Sequence, residues 1–482
     1  MYLGKIPRPA FGIRIPEIVV PAILKSFKRL NIAGTLMLSF NRETAPKKYI
    51  DSLDIKHFYL GHTGTSINEY INSARNHSKE FSIPIEIEAD HVSIMGSVER
   101  ALKRIAGVTI EEGLSNAEVN ESLNYIEEEF REVSKAGGVD FVTIDTCELV
   151  DTKVELMSNE EIISRYENEF DSDYRKSLEN RFLRRFVFVS DDREVFIKFN
   201  KIDIARLALK YSKSIEYAER IIDIIKKYNV DGFGIEIALD EFPIISSVKD
   251  VLFYSMELQN RGIYIDFLAP NIGFKKREDY SGDPHLLYEH VKNIYTILSS
   301  LGIYISIHSG SGAHPYSDKG RGIWEIMRKA TNGFIKYKMS GVLIQLLLEL
   351  LYQFPQGSKA RKLYEEIYDS VLEHIYHVVK AKGGIYSPEL ERLLKSYEEA
   401  IERDPSYRRS PRADIFRHYF YIFQTLRDDK GYRILREKLI DLYNTDAEIR
   451  KRYEAEVYSL IERFSKALNF IDNINRYKVL TL

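Results

Sequence analysis

Short apolar runs alternate with amphipathic stretches along the first 340 residues. Six intervening stretches have helical periodicity, namely 66–80, 114–136, 203–228, 246–261, 284–301 and 321–331. Eight runs are rich in β-branched or aromatic residues and bounded by turn residues, which is typical of buried strands. They are 33–40, 54–61, 84–90, 141–146, 232–239, 263–270, 303–310 and 334–339. This alternation predicts an α/β fold, a (β/α)8 TIM barrel, with a doubly wound open sheet as the alternative.

Two regions do not fit a minimal barrel. Residues 151–200 separate the fourth and fifth predicted strands and contain FVFV (186–189) and EVFIKF (194–199), which predict a small β-hairpin insertion. From 356 to 482 the pattern is helical and highly charged. We therefore predict a catalytic barrel over 1–355 and a C-terminal helical appendage over 356–482. The pattern leaves open whether this appendage covers the barrel or mediates assembly.

The charge and cysteine content exclude several classes of protein. The 482 residues carry a net charge of −3, which gives no reason to expect a nucleic-acid or anionic-membrane partner. Cys147 is the single cysteine, so a disulfide framework or a thiolate metal cluster within the chain is excluded. No run of 18 apolar residues occurs, and the N-terminus does not resemble a signal peptide. We expect a cytoplasmic protein.

The residue composition favours a thermophilic source. Lys, Glu, Ile and Tyr are abundant, whereas glutamine occurs only at 259, 345, 353, 356 and 424. Many charges with few thermolabile side chains are typical of proteins that work at high temperature. An AT-rich genome would produce part of the same bias.

Polar residues lie at the predicted carboxyl ends of several strands, where a TIM barrel places its active site. Asp90 and His91 end the third predicted strand, Glu236 lies on the fifth, and His308 ends the seventh. A lone histidine at a strand end is more often structural than catalytic. Buried carboxylates, however, are costly unless they are paired or bind metal. Convergence of this set therefore favours a functional site.

Further strand-end groups are less specific. Asp145 and Asp266 would equally serve as helix caps or as partners of lysines. The turn HSGSG (308–312) could bind phosphate through backbone N–H groups, but it matches no nucleotide-binding motif. Two imidazoles with a carboxylate suit a divalent metal such as Zn, Ni or Mn, which acts as a Lewis acid. Lys338 could neutralise a substrate oxyanion or carboxylate.

Several motifs together resemble the tagaturonate epimerase family. The sequence resembles that family from about residue 10 to 345, and the opening segment FGIRIPEIVVPAI (11–23) looks like a degraded form of the family's first motif. The resemblance implies interconversion of tagaturonate and fructuronate with a divalent metal, and some members resemble enzymes acting on tagatose and fructose. The motifs are EADHV (88–92), TIDTCELV (143–150), IEIALDE (235–241), LAPNIGF (268–274), EDYSGD (278–283), SIHSGS (306–311) and YKMSG (337–341).

The resemblance also implies roles for individual residues. His91 and His308 are assigned to the metal, with Asp266 or a residue of the 271–283 loop as the third ligand. Asp90 and Glu236 are assigned to proton transfer. The expected substrate contacts are Asp145, Asp240, Asn271, Ser309, Ser311, Lys338, Arg417 and His418.

The sequence departs from the family pattern near the substrate. Asn271 stands where the family usually has an arginine, and the lysine that follows HSGS is shifted to Lys319. Loss of a cation favours a neutral ketohexose over a uronate. RHYFY (417–421) could supply replacement contacts through Arg417 and His418.

Two other functions remain open from the sequence. A metal-dependent phosphoesterase or nuclease on a similar barrel would need more metal ligands and a more basic surface. A non-catalytic sugar-binding barrel would bind sugar without turnover. In each of the sugar-related interpretations the partner is a small-molecule sugar, and the chain is a possible homo-oligomer.

Overall fold

Eight parallel strands close into a barrel in this computed structural model, which describes residues 1–95, 100, 113–190, 192–241 and 243–479. Each strand pairs with its neighbours in sequence, and the last pairs with the first. The predicted (β/α)8 TIM barrel is therefore confirmed. The strands are β1 (Arg8–Gly12), β2 (Gly34–Ser39), β3 (Ile85–Ser93), β4 (Phe141–Asp145), β5 (Gly234–Leu239), β6 (Phe267–Pro270), β7 (Tyr304–Ile307) and β8 (Ile335–Met339).

One of the eight predicted strands is wrong. Residues 54–61 form a 3-10 helix, Ile55–His57, followed by turns, and the Asp54 side chain accepts a hydrogen bond from the backbone N–H of Lys56. Ile55 is 77% exposed whereas Tyr59 and Leu60 are buried, so the segment packs against the core without forming a strand. The strand that completes the barrel is β1, which the pattern missed because RPAFG contains a proline, a glycine and an arginine.

A helix follows each barrel strand. The β2–β3 connection also carries the short helix Lys47–Ile50 and a two-stranded sheet formed by Thr44–Ala45 and Thr65–Ser66. Ser66, Ser115 and Ser247 each begin a helix with a capping box, in which serine and an acidic residue satisfy backbone N–H groups reciprocally. The barrel helices are Pro16–Leu30, Ile67–Phe81, Asn116–Lys135, Lys201–Tyr228, Val248–Asn260, Pro284–Ser300, Ile323–Ala330 and Val342–Gln353.

The predicted hairpin insertion is present between β4 and β5. Strands Arg185–Ser190 and Arg193–Lys198 pair antiparallel, after helices Asn159–Glu169 and Ser172–Phe182. The hairpin contacts the barrel helix Pro284–Ser300. Residue 191 of the insertion and residues 480–482 of the predicted C-terminal region lie outside the described residues.

The C-terminal region is helical, as predicted, and contacts both ends of the barrel. At the amino end, the Asn473 amide donates to the carbonyls of Pro7 and Ala33. At the carboxyl end, Tyr421 lines the cavity described below. Within the described residues, no helix combines the length and apolar character needed to cross a bilayer. The region's helices are Lys359–Ala381, Pro388–Arg403, Asp414–Tyr419, Ile422–Thr425, Ile434–Thr445, Ala447–Leu468 and Asn473–Arg476.

Charged side chains fill much of the barrel interior. Arg8 binds Glu86 at 2.7 Å near the amino end, and both side chains are fully buried. Lys336 lies 2.7 Å from Glu88 in the next layer, and these side chains are also fully buried. Because a buried charge is tolerated only with a partner, the pairing of these layers accounts for their presence in the core.

Candidate active site

A bulge at the end of β3 brings Asp90 and His91 to one site. Neighbouring residues of a regular strand point to opposite faces, so the sequence alone did not show how both could face one ligand. The pairing of β3 with β4 shifts register between Ala89 and Val92, and His91 has a φ of 49°. Such a bulge redirects a side chain. Both residues consequently line the same cavity.

His308, at the end of β7, lies between two carboxylates. Its Nδ1 is 2.9 Å from Asp240 Oδ1, and its Nε2 is 2.5 Å from Glu236 Oε1. Burial lowers the pKa of His308, but Asp240 and Glu236 outweigh that effect and raise it to about 9. The ring lies 5.0 Å from that of His91, whose Nδ1 is 3.1 Å from Asp145 Oδ2.

These histidines and carboxylates fit a divalent metal. His91, Asp240 and His308 each offer a donor atom within 4.8 Å of the others, and a second group comprises His91, Asp145 and Glu241. Histidine nitrogens and carboxylate oxygens are ligands that Zn and other divalent transition metals bind. Glu236 holds the other nitrogen of His308, as carboxylates do for metal-binding histidines. The first group therefore could hold such an ion.

Lys338 is surrounded by carboxylates inside the barrel. Its Nζ lies 2.6 Å from Glu88, 2.8 Å from Asp90 and 2.9 Å from Glu236. Burial lowers the pKa of Lys338, but these acids raise it well above its usual value. Burial raises the pKa of Asp90, but the positive charges of Lys338 and the two histidines lower that pKa by a larger amount. Asp90 is therefore ionised at neutral pH.

A cavity of about 150 Å³ occupies the carboxyl end of the barrel. It adjoins a wider cleft of about 1120 Å³, with which it shares Asp240, Lys276, Arg277 and Ser309. Glu236 is fully buried and does not line the cavity, so its contact with the site passes through His308 and Lys338. The cavity's polar wall comprises Arg14, Ser39, Arg42, Glu43, His62, Asp90, His91, Asp240, Lys276, Arg277, His308, Ser309, Ser311, Lys338, Ser340 and Tyr421.

The expected position of Asp266 is wrong. It precedes β6, at the amino end of the barrel, and accepts hydrogen bonds from Tyr2 Oη at 2.8 Å and Ile235 N at 3.0 Å. It therefore lies away from His91 and His308 and does not serve as their third ligand. Asp240, which directly follows β5, lies beside His91 and His308 instead.

Other predicted substrate contacts divide between the cavity and its surroundings. Ser309 and Ser311 line the cavity, with Ser309 at a φ of 53°. Asn271 lines the wider cleft, where its Oδ1 accepts a hydrogen bond from the backbone of Gly273 at 2.8 Å. Asp145 lies behind His91 and holds its Nδ1.

The two residues predicted from the C-terminal tail do not line the cavity. Arg417 forms an ion pair with Asp414 and donates to the backbone carbonyls of Arg277 and Ala313. His418 lines the wider cleft, and its carbonyl accepts a hydrogen bond from Arg277. Arg417 consequently holds a loop in place, and the tail reaches the cavity through Tyr421 instead.

Sequence reasoning assigned no role to nine polar residues of the cavity wall, among them Arg14, His62, Arg277 and Tyr421. Arg14 follows the unpredicted strand β1, and His62 follows the segment wrongly predicted as a strand. Arg277 lies in a loop and Tyr421 in the C-terminal region. Three of these residues lie in segments that the sequence marked: Arg14 in the opening motif, Arg277 in the 271–283 loop and Tyr421 in RHYFY (417–421).

Comparison with known proteins identifies the family. A family model described as tagaturonate epimerase matches residues 123–400, which is more than half of the chain. The chain belongs to the tagaturonate epimerase family. As a member of the tagaturonate epimerase family the protein is an epimerase, an isomerase, and its family supports a sugar acid as substrate. The phosphoesterase and non-catalytic interpretations are thereby set aside.

Solved structures agree with the tagaturonate epimerase fold. A glycerol complex of fructuronate-tagaturonate epimerase from Cohnella laeviribosi has a TM-score of 0.67 and 18% identity, covering 97% of this chain and 82% of that one. The native structure of the same enzyme has a TM-score of 0.64 and 17% identity, covering 97% and 84%. At this identity the likeness concerns the fold. No curated protein matches the sequence.

Proposed function

We propose that the protein inverts C4 of a six-carbon ketose or of its uronic acid, interconverting tagaturonate and fructuronate or the corresponding tagatose and fructose. The supporting observation is the meeting of Asp90, His91, Asp240, His308 and Lys338 at one cavity at the carboxyl end of the barrel. Ionised carboxylates, imidazoles and a buried cation together suit proton transfer beside a developing negative charge.

The position of C4 decides the type of reaction. C4 is β to the C2 ketone, and enolisation acidifies only the α carbon, so simple proton abstraction does not invert it. In a retro-aldol route the C4 hydroxyl loses its proton and becomes an aldehyde while the C3–C4 bond breaks. The bonding electrons pass to C3 and the C2 oxygen as an enediolate. The aldehyde turns its other face, the bond reforms, and the C4 oxygen regains a proton.

The proposal assigns the exchange of this proton to Asp90. It is ionised, it lines the cavity, and its second oxygen accepts a hydrogen bond from Ser39 Oγ at 3.0 Å. Lys338 contacts both Asp90 and Glu236, so it links the two carboxylates that the sequence assigned to proton transfer. Glu236 then acts indirectly, by holding Lys338 and His308 in position.

A divalent cation, with Zn, Ni or Mn as the candidates, is part of the proposal. His91, Asp240 and His308 would hold it. When bound it would supply Lewis-acid stabilisation of negative charge on the substrate ketone oxygen.

Turnover in D2O, followed by NMR, tests the proposed route. A retro-aldol reaction keeps the original hydrogen on C4 throughout, so the C4 epimer formed in D2O should carry hydrogen there. Deuterium at C4 of the product would instead demonstrate proton abstraction from carbon and contradict the retro-aldol proposal.

A further inference from the structure

Besides Arg42 Nε, three buried polar atoms of residues on the cavity wall have no hydrogen-bond partner among the described residues. They are Arg14 Nη1, His62 Nδ1 and Tyr421 Oη. Arg14 is itself held firmly, because its other nitrogens contact Glu43 at 2.7 Å and Ser340 at 3.3 Å. Unpartnered buried polar groups are rare and costly, and here they belong to residues that line one cavity, which indicates a missing ligand.

Arg277 lies beside these atoms without a carboxylate partner in the described part of the chain. Its Nη1 donates a hydrogen bond to the backbone carbonyl of His418. Burial lowers the pKa of Arg277 to about 10, and the nearby charge of Arg14 contributes to that shift. Two guanidinium groups that face one cavity repel each other unless an anion lies between them.

Unlike Arg277, the other cations of the cavity wall form ion pairs with carboxylates. Arg42 and Lys276 both pair with Glu241, at 2.7 and 2.8 Å. Lys338 pairs with three carboxylates, as described above. Arg277 is therefore the cation of the described wall whose charge the protein does not balance with an acid.

We infer that Arg277, the unpartnered Nη1 of Arg14 and the hydroxyl of Tyr421 bind the carboxylate of the sugar acid and thereby determine specificity for it. This inference rests on the proposed function. A guanidinium presents paired N–H donors that match the two oxygens of a carboxylate. Asn271 stands where the family usually has an arginine. Arg277, six residues later in the same loop, supplies a positive charge in its place.

His62 completes the wall around this subsite. Its ring lies 4.8 Å from that of Tyr421. Burial, followed by the charge of Arg14, lowers the pKa of His62 to about 3, so the imidazole is neutral at physiological pH. A neutral imidazole does not add a further positive charge to the two arginines, and its Nδ1 is a polar atom available to a carboxylate oxygen.

Anchoring the carboxylate has a consequence for the reaction. After the C3–C4 bond breaks, the aldehyde fragment contains C4, C5 and the carboxylate carbon. With the carboxylate held by Arg277, rotation about C4–C5 presents the other face of the aldehyde without release of the fragment. The carboxylate itself gains and loses no bond.

The test compares kcat/KM for tagaturonate and for the neutral sugar tagatose in the metal-loaded full-length enzyme. Arg277→Met should lower kcat/KM for tagaturonate by on the order of 100-fold, because it removes a charge-assisted contact. The same change should alter kcat/KM for tagatose by less than about 5-fold, within the range of a lost neutral contact. Tyr421→Phe should cause a smaller loss, again confined to tagaturonate.

Two further variants serve as controls. Lys275→Met removes a positive charge from the same loop, but Lys275 is 75% exposed and pairs with Glu278, so both sugars should react as in the wild type. Arg277→Lys keeps the charge and should retain part of the discrimination. Thermal unfolding of each variant shows whether it has folded.

The outcomes separate this inference from the proposed function. If the wild type epimerises tagaturonate but Arg277→Met affects both sugars equally, or neither, the carboxylate subsite is wrong and the epimerase proposal stands. If the wild type epimerises neither sugar, the proposed function fails, and calorimetric binding of tagaturonate to the metal-loaded protein decides the subsite. Weaker binding to Arg277→Met than to wild type would support it, whereas equal binding or no binding to the wild type would overturn it.

Discussion

His91 illustrates how a single backbone conformation assembles the site. A non-glycine residue at a φ of 49° is uncommon, and it occurs here at the bulge that ends β3. Without that bulge, Asp90 and His91 would face opposite sides of the strand. Local strain of this kind is typically kept where function requires it. The sequence named both residues, but the bulge that unites them depends on pairing with β4 and has no signal in the local pattern.

Replacement of Asp90 tests the assignment of the proton-transfer group. Asp90→Asn keeps the shape of the side chain but removes the base, so kcat should fall by roughly 10²- to 10⁴-fold. Ser39→Ala removes only one hydrogen bond to Asp90 and should have a much smaller effect. Steady-state kinetics by NMR measures both. Full turnover by folded Asp90→Asn would remove Asp90 from the mechanism.

Two aspartates at opposite ends of the barrel test the metal site. Asp240→Ala should reduce the affinity for Zn or Ni by at least 10-fold, because Asp240 lies with His91 and His308. Asp266→Asn should bind metal as the wild type does, since Asp266 contacts Tyr2 at the amino end. Isothermal titration calorimetry of the chelated proteins measures both affinities. The reverse result would restore Asp266 as a ligand.

At the scale of helices and strands, the sequence predicted those elements whose own residues indicate them and missed those that depend on distant partners. The sequence located seven barrel strands because their apolar runs are buried and bounded by turns. It located the hairpin insertion from two short runs rich in β-branched and aromatic residues, although only part of each run is buried. Strand β1 was missed because its register is set by pairing with β2 and β8, and its Arg8 is compatible with burial only through Glu86. The segment 54–61 has similar local composition but no neighbouring strand to pair with.

The Arg8–Glu86 pair links β1 to β3 and carries a prediction about stability. Arg8→Met leaves a buried carboxylate without its cation and should lower the free energy of unfolding by roughly 3–5 kcal/mol. Adding Glu86→Gln removes the second charge and should restore part of that loss. Urea denaturation measures the three proteins. Equal stability of Arg8→Met and the wild type would show that this pair does not stabilise the barrel.

For the whole molecule, the C-terminal region completes the cavity. Tyr421 reaches the cavity wall, and Arg436 binds Glu17 and the carbonyl of Thr63, which fastens this region to the barrel. These contacts join residues more than 350 positions apart. A local sequence pattern predicts helices but gives no information on where they pack, so the sequence left the role of this region open.

The composition of the whole chain predicts high thermal stability. Buried and partly buried ion pairs such as Arg8–Glu86 and Lys210–Asp250 accompany the low glutamine content. Because the cost of removing charges from water falls with temperature, such pairs contribute more to stability when hot. The unfolding midpoint should lie above the range of about 45–65 °C that is usual for mesophilic domains. A midpoint within that range, measured by scanning calorimetry, would indicate that the composition reflects an AT-rich genome and not thermal stability.

The most direct test of the account is whether the purified protein epimerises tagaturonate at C4 in a metal-dependent way. The protein is treated with a chelator, returned to buffer with or without Ni, Zn or Mn, and incubated with tagaturonate while NMR follows the sugar. We predict that fructuronate appears when metal is restored and not after chelation alone. Absence of fructuronate with folded, metal-loaded protein, or equal turnover without metal, would contradict the account.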